Sequence, residues 1–150
     1  MASCFFLGHR EAPDSIRGSV YDAVERLITE YGVKEFYAGN YGHFDRMAQG
    51  ALRRAKSRHP DITLRLLVPY HPGERAVTVP KGFDGTFYPP GMETVPRRFA
   101  IARANRTMLS CCDYLITYVW HPASSAREQL AFAARRGIHI ENLAENDTPG

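Results

Sequence analysis

Cysteine is scarce, and the placement of the few cysteines excludes a protein built around disulfides. The 150 residues include only three, Cys4, Cys111 and Cys112. An odd number with two adjacent members does not suit a disulfide framework, and no CxxC pair is present to begin a zinc site. Thiols of this kind fit a reducing compartment, so we expect a cytoplasmic protein.

Long hydrophobic runs are also missing. No apolar stretch approaches the roughly 18 residues that cross a bilayer, so no membrane partner is expected. The opening residues MASCFFLGHR have no basic residue ahead of their short apolar run. We therefore interpret them as a first strand rather than a secretory signal.

Lysine is also scarce in this chain. Of nineteen basic residues three are lysine and sixteen are arginine, and the formal net charge is only +3. A charge this small does not require a nucleic-acid partner. Arginine is preferred where planar, bidentate contacts to an anion are needed, although the base composition of a genome also produces arginine-rich proteins. Both explanations of the arginine surplus stay open.

The hydrophobic pattern alternates between strand-like runs and helix-like stripes. It predicts strands at 4–7, 35–38, 62–68, 114–120 and 138–140, and helices at 16–31, 44–55, 97–110 and 124–136. Such alternation predicts an α/β fold, a single-domain, doubly wound, Rossmann-like parallel sheet of about five strands. We assign residues 1–143 to this domain and residues 144–150 to a polar tail.

One segment, residues 71–96, breaks the alternation. It holds five of the ten prolines and four of the twelve glycines. Loops of this length are uncommon unless they are functional. The segment is therefore interpreted as an insertion that is either a lid beside a ligand site or a packed excursion on the surface. Within it, the run Ala76–Val79 is expected to form a small edge strand.

The residues that follow the first two predicted strands suit an anion site. In a doubly wound sheet, ligands bind at the carboxyl ends of the strands, where the winding direction reverses. Each turn there leads into a helix, whose N-terminal N–H groups and dipole favour an anion. Glycine allows close approach of backbone or ligand. The candidate binding residues in these turns are Gly8, His9, Arg10, Gly39, Asn40, Tyr41, Gly42 and Asp45.

The stretch after the fourth predicted strand permits two interpretations. Ser125 and Glu128 have the spacing of a capping box, in which the two side chains satisfy each other's N–H groups. In that case the Ser124 hydroxyl is not needed for the cap and is free to bind a ligand. Alternatively, the serines bind phosphate at the helix N-terminus together with His121 and Arg127. We predict that both hold, with a capped helix whose N-terminus faces a phosphate.

The helix predicted at 97–110 contributes the remaining candidates. Arg103 and Arg106 are three residues apart and share a helix face, which suits a clamp on phosphate, with solvated arginines as the alternative. Asn105 lies between them and is a further ligand candidate. The histidines show no HxxxH spacing, so neither a metal site nor a cofactor is expected.

Stretches spread over nearly the whole chain resemble the SLOG superfamily of Rossmann-like nucleotide-binding proteins, in particular its YpsA-like branch from bacteria and phages. They are FFLGHR (5–10), FYAGNYGHFDRMA (36–48), LLVPYHP (66–72), FYPPGM (87–92), ARANRTML (102–109) and DYLITYVWHPASSAR (113–127). The resemblance implies a pocket for a nucleotide or nucleotide-derived small molecule, with a sensor or sequestering role. It leaves a homo-oligomer open.

A related branch, the LOG-type enzymes, implies an alternative function. These enzymes cleave the N-glycosidic bond of nucleoside monophosphates with a PGGxGTxxE loop and an upstream arginine. Ser125 and Glu128 match the end of that motif, but no Gly-Gly is present and Pro122 lies two residues too close. If the protein is an enzyme, Glu128 is the candidate catalytic carboxylate and Arg10 or Arg103 holds the phosphate.

A third class is single-stranded nucleic-acid binding, because a distant SLOG branch handles single-stranded DNA. The arginine surplus permits it. However, the aromatic residues lie mostly at core spacing rather than on a stacking platform. Nucleic acid is therefore the less favoured partner, and a nucleotide-type small molecule is the favoured one.

Overall fold

Six parallel strands form a single sheet in the computed structural model, which describes residues 2–146. The strands are β1 (Ser3–Gly8), β2 (Glu35–Ala38), β3 (Thr63–Leu67), β4 (Gly85–Phe87), β5 (Tyr114–Tyr118) and β6 (His139–Asn142). Their order is β4-β3-β2-β1-β5-β6, and every neighbouring pair is parallel. The predicted α/β fold with a parallel sheet is confirmed, but the sheet has six strands rather than about five.

Helices cover both faces of the sheet. They are α1 (Arg17–Tyr31), α2 (His43–Arg58), α3 (Arg97–Cys111), α4 (Ser125–Arg136) and the short α5 (Leu143–Asn146). Glycine ends two of these helices, because Gly32 and Gly137 follow α1 and α4 in the left-handed conformation. Across residues 2–146, no helix has the length and apolar character needed to cross a membrane.

The central strand β1 divides the hydrophobic core into two layers. Because successive side chains of a strand point to opposite faces, Cys4 and Phe6 pack with α1 and α2, whereas Phe5 and Leu7 pack with α3 and α4. All four side chains are buried. A strand buried on both faces explains why this run of sequence is continuously apolar.

The prediction of an edge strand at Ala76–Val79 is wrong. Residues 76–79 form no strand and are mostly exposed, and the edge position beside β3 is taken by Gly85–Phe87. Asp84 sets this register, because its carboxylate accepts a hydrogen bond from Leu64 N–H at 2.8 Å and its own N–H donates to Leu64 O at 2.8 Å. β-Propensity alone could not reveal that anchor.

The polar tail predicted for residues 144–150 begins inside α5. Leu143 and Ala144 are buried against the layer that contains α1 and α2. Residues 147–150 lie outside the described residues.

Gly8 at the end of β1 provides a test of this packing. A Cβ atom at Gly8 would lie 2.5 Å from Cδ2 of Phe44, whose side chain is 1% exposed. We expect Gly8→Ala to lower the free energy of unfolding by about 1–3 kcal/mol, the usual cost of overpacking. Urea unfolding of the variant and the parent protein measures this change.

Gly18 is the matched control, because a Cβ atom there meets nothing within 4 Å. It lies in the first turn of α1, where alanine costs less backbone entropy than glycine. We expect Gly18→Ala to leave the protein as stable or to stabilise it by up to about 1 kcal/mol. Equal effects of the two substitutions would contradict the close packing of Gly8 on Phe44.

Candidate functional site

A cavity of about 450 Å³ opens at the carboxyl ends of the strands, where the winding reverses between β1 and β5. Its walls are the turns after β1, β2 and β3 together with the facing sides of α3 and α4. Nine of the predicted ligand residues line it: Gly8, His9, Arg10, Gly39, Tyr41, Asp45, Asn105, Ser124 and Ser125. The fold therefore brings together positions that are more than a hundred residues apart in sequence.

Seven predicted residues do not line the cavity: Asn40, Gly42, Arg103, Arg106, His121, Arg127 and Glu128. Asn40 accepts a hydrogen bond from Gln49 at 3.1 Å, outside the cavity. Gly42 has a φ of 133°, and a Cβ atom there would lie 2.7 Å from Cα of Arg10. The space beside this glycine is thus filled by the protein's own backbone, not by a ligand.

Asp45 is the carboxylate of the cavity. Its Oδ2 accepts a hydrogen bond from Tyr41 N–H at 2.8 Å, and a Cβ atom at Gly39 would lie 2.8 Å from the same oxygen. Gly39 therefore makes room for this carboxyl group. Burial raises the pKa of Asp45 to about 6, although the Tyr41 N–H and the charges of Arg10 and Arg46 act in the opposite direction. The protonation state of this carboxyl therefore changes around pH 6.

His9 joins the end of β1 to the turn after β5. Its Nε2 accepts hydrogen bonds from two successive N–H groups, Trp120 at 3.0 Å and His121 at 3.2 Å. A ring nitrogen that accepts hydrogen bonds carries no proton, so this imidazole is neutral. Burial and the neighbouring His121 lower the pKa of His9, opposed by Glu11. The neutral ring thus holds the turn that leads into α4.

The N-cap of α4 is Ser124, so the capping box predicted at Ser125–Glu128 is wrong by one residue. Ser124 Oγ accepts from Arg127 N–H at 3.1 Å and donates to His121 O at 3.0 Å. The Ser124 hydroxyl is therefore needed for the cap. Ser125 is the first helical residue, and its N–H and that of Ala126 have no carbonyl one turn earlier to bond. Both residues line the cavity.

The arginine clamp predicted from Arg103 and Arg106 does not face the cavity. Both lie in a neighbouring groove, and the Arg106 guanidinium stacks 3.6 Å above the ring of Phe132. The helix period explains this placement, because the residues of α3 that line the cavity are Arg98, Ile101, Ala102, Ala104 and Asn105. Arg103 and Arg106 fall on the adjoining stripe. Glu128, the candidate catalytic residue, lies in the same groove and not in the cavity.

Two polar residues of the cavity were missed in the sequence. Arg98 lies in the first turn of α3 and Gln129 lies one turn after Ser125 on α4. Gln129 Nε2 donates to Ala102 O at 3.4 Å, which ties α4 to α3. The spacing of Arg98 and Gln129 from Asn105 and Ser125 was the available signal, because residues at i, i+4 and i+7 share one helix face. No three His, Cys, Asp or Glu side chains within residues 2–146 are grouped to hold a metal ion.

Comparison with known proteins supports the fold. No protein-family model matches the chain, and no curated protein matches it. Among solved structures, the X-ray structure of DNA processing protein A from Streptococcus pneumoniae matches with a TM-score of 0.66 and 18% sequence identity. The match covers 93% of this chain but only 49% of the other. At this level of identity, the similarity supports a shared Rossmann-like α/β fold with a parallel sheet and nothing finer.

Replacement of the cavity carboxyl should change how stability depends on pH. The pKa of Asp45 in the folded protein, about 6, lies above its ordinary value of 3.8. The contribution of this carboxyl to the free energy of unfolding is therefore complete below pH 3.8 and is lost as pH rises through 6. Asn can still accept the Tyr41 N–H without a charge. We expect Asp45→Asn to stabilise the protein by about 1–3 kcal/mol above pH 7 and not near pH 4. Urea unfolding across this range measures the difference.

Asp84 is the matched control, because its pKa is shifted in the opposite direction to that of Asp45. The Leu64 N–H, assisted by Lys56, lowers the pKa of the Asp84 carboxyl. The ionised Asp84 carboxylate therefore stabilises the folded protein at pH values above its ordinary pKa, and this stabilisation is lost as pH falls. Asp84→Asn should therefore destabilise the protein at pH 7, and the two unfolding curves should converge at low pH. Two variants that respond to pH in the same direction would contradict these assignments.

His9 provides a further prediction. Because its folded pKa lies below 6.5, the stability from the neutral ring is present above pH 6.5 and is lost as pH falls. His9→Ala should cost about 1 kcal/mol at pH 8, where two N–H groups lose their acceptor. His9→Gln, which offers an amide oxygen that does not titrate, should lose less and show a flatter pH dependence. Equal losses from both variants would exclude the acceptor role.

Proposed function

We propose that the cavity binds a phosphorylated, nucleotide-type small molecule and that the protein acts as its sensor or sequestering protein. The observation that carries the proposal is the cavity at the reversal of the sheet, which combines a helix N-terminus, two arginines and one carboxylate. Doubly wound proteins bind their ligands at this position. Its volume of about 450 Å³ falls in the range of small-molecule sites.

The phosphate is proposed to bind at the start of α4. Ser125 and Ala126 present N–H groups there, and the positive end of the helix dipole favours an anion. Arg10 and Arg98 line the same cavity and supply charge for bidentate contacts. This donor set replaces the Arg103 and Arg106 clamp predicted from the sequence.

The nucleoside part is proposed to lie between Asp45 and the apolar wall. The Asp45 carboxylate is a suitable acceptor for ribose hydroxyl groups. Leu67, Pro69 and Ile101 provide apolar surface for the sugar or the base. Binding sites for small molecules commonly combine an apolar lining with a few convergent polar groups in this way.

An N-glycosidic hydrolase is the second candidate, and Asp45 rather than Glu128 is the residue that favours it. Cleavage of such a bond requires a carboxylate beside the developing oxocarbenium ion. Asp45 lies in the cavity with a pKa of about 6, whereas Glu128 lies outside it. Release of free base from a nucleotide panel that is abolished by Asp45→Asn but kept by Glu128→Gln would establish this activity.

A nucleotide panel tests the binding proposal directly. A ligand present at 100 times its dissociation constant stabilises the folded state by roughly 2.7 kcal/mol, which a melting curve resolves. The panel should include nucleoside mono- and diphosphates, cyclic nucleotides and ADP-ribose, with a labelled single-stranded oligonucleotide beside them. If no nucleotide at millimolar concentration shifts the melting temperature, the proposal is wrong.

A charge at the start of α4 tests the phosphate position. Ser125 is the residue to change, because the capping Ser124 also donates to His121 O. We expect Ser125→Asp to keep the fold, since a carboxylate is favourable in the first helical turn. Like charges about 4 Å apart repel by roughly 4 kcal/mol at an effective dielectric of 20, so affinity should fall several hundredfold. Calorimetric titration measures the loss.

Ser125→Asn is the neutral control of the same shape. It should bind the ligand within a few-fold of the parent protein. If the Asp and Asn variants bind equally well, the phosphate does not lie at the start of α4.

A further inference from the structure

A second hollow of about 450 Å³, which we call the α3–α4 groove, adjoins the cavity. The two share Ala102, Ser125 and Gln129 in their linings, so they meet at the start of α4. Ala102 carries only a methyl group and is exposed at this junction. A ligand held at Ser125 can therefore extend into both hollows.

The groove has the residues of a second nucleotide subsite. Phe99 is a large apolar side chain left 52% exposed, and the Arg98 guanidinium lies 4.8 Å from its ring centre. An exposed aromatic ring beside arginine is a surface on which a base can stack. Arg103 and Arg106 line the groove one helical turn apart, and Arg106 is held flat against Phe132. The groove thus joins an aromatic surface to positive charge.

The cations flank the junction on both sides. Arg98 lines the cavity, whereas Arg103 and Arg106 line the groove, and all three lie on α3. Arg106 is the farthest of the three from the junction, because it packs on Phe132 two turns after Ser125. Negative charge placed at the junction faces arginine in either direction. Among residues 2–146, Glu128 is the only carboxylate that lines the groove, and Asp45 is the only one that lines the cavity. Each hollow therefore pairs arginine with one acceptor for hydroxyl or amino groups.

We propose that the cavity and the α3–α4 groove form one bipartite site for a ligand with two nucleosides joined by a phosphate or pyrophosphate bridge. This inference rests on the proposed function, because it places the first nucleoside in the cavity. The bridge lies at Ser125 between Arg98 and Arg103, and the second base stacks on Phe99. Arg103, Arg106 and Glu128, which do not line the cavity, are part of the second subsite in this proposal.

Titration calorimetry with two matched sets of probes tests the inference. One set is the four nucleoside 5′-monophosphates, and the other is the symmetrical dinucleoside diphosphate of each. The readout is the ratio of dinucleotide to mononucleotide affinity for the same base. We expect a ratio of at least about five for the base that binds best, since stacking of one base on an aromatic side chain contributes about 1–3 kcal/mol, or about fivefold or more in affinity.

Three variants and one control test whether that ratio arises in the groove. Phe99→Ala and Arg103→Gln should each bring the ratio towards one, because they remove stacking and charge from the second subsite. Arg98→Gln should weaken both ligands and change the ratio less. Arg135→Gln, on the exposed last turn of α4, lies outside both hollows and should leave both affinities as they are. Melting curves confirm that each variant folds.

The outcomes separate the two proposals. A dinucleotide that binds no tighter than its monophosphate, or a ratio unaffected by Phe99→Ala, overturns the bipartite site and leaves the mononucleotide proposal standing. Failure of both probe sets to bind overturns the bipartite site, and the wider nucleotide panel described above then decides the binding proposal by itself. Affinity for oligonucleotides that keeps rising beyond two nucleotides assigns the surface to a single strand of nucleic acid and overturns the bipartite site.

Discussion

The reversal of winding between β1 and β5 is the constraint on which the rest of the structure depends. The chain leaves β1 towards α1 on one face of the sheet and leaves β5 towards α4 on the other. No helix can cover the carboxyl ends of both strands, because their connections diverge there. The cavity is the space that this divergence leaves open, and the turns after the central strands become its walls.

Burial shifts the pKa values of Asp45 and His9, which both line the cavity, in opposite directions and for the same reason. Desolvation disfavours charge, so the pKa of Asp45 rises and the pKa of His9 falls. The neutral imidazole can then hold the turn after β5, and the carboxyl can change its protonation near neutral pH. Arg10 and Arg98 carry the fixed charge of the site, and together with the dipole of α4 they favour an anion.

Close packing explains the glycines that the sequence placed at the strand ends. Gly8 accommodates the ring of Phe44, Gly39 accommodates the Asp45 carboxyl and Gly42 accommodates the backbone of Arg10. Each contact joins the turn after β1 or β2 to its neighbour. The glycines at these strand ends therefore allow the close approach of other parts of the chain, and their role beside a ligand stays a prediction.

The sequence by itself determined helices α1 to α4, every strand except β4, the parallel sheet and the edge that carries the candidate site, because periodicity and turn residues act locally along the chain. Tertiary structure alone decided which of two adjacent serines caps α4, since the turn before it is held by His9 from 111 residues away. It also decided that Gly85–Phe87 pairs with β3, through Asp84 and Leu64, and that α3 turns Arg98 rather than Arg103 towards the cavity. These outcomes depend on contacts between distant segments and on how each helix is rotated in its packing, and spacing along the chain contains neither.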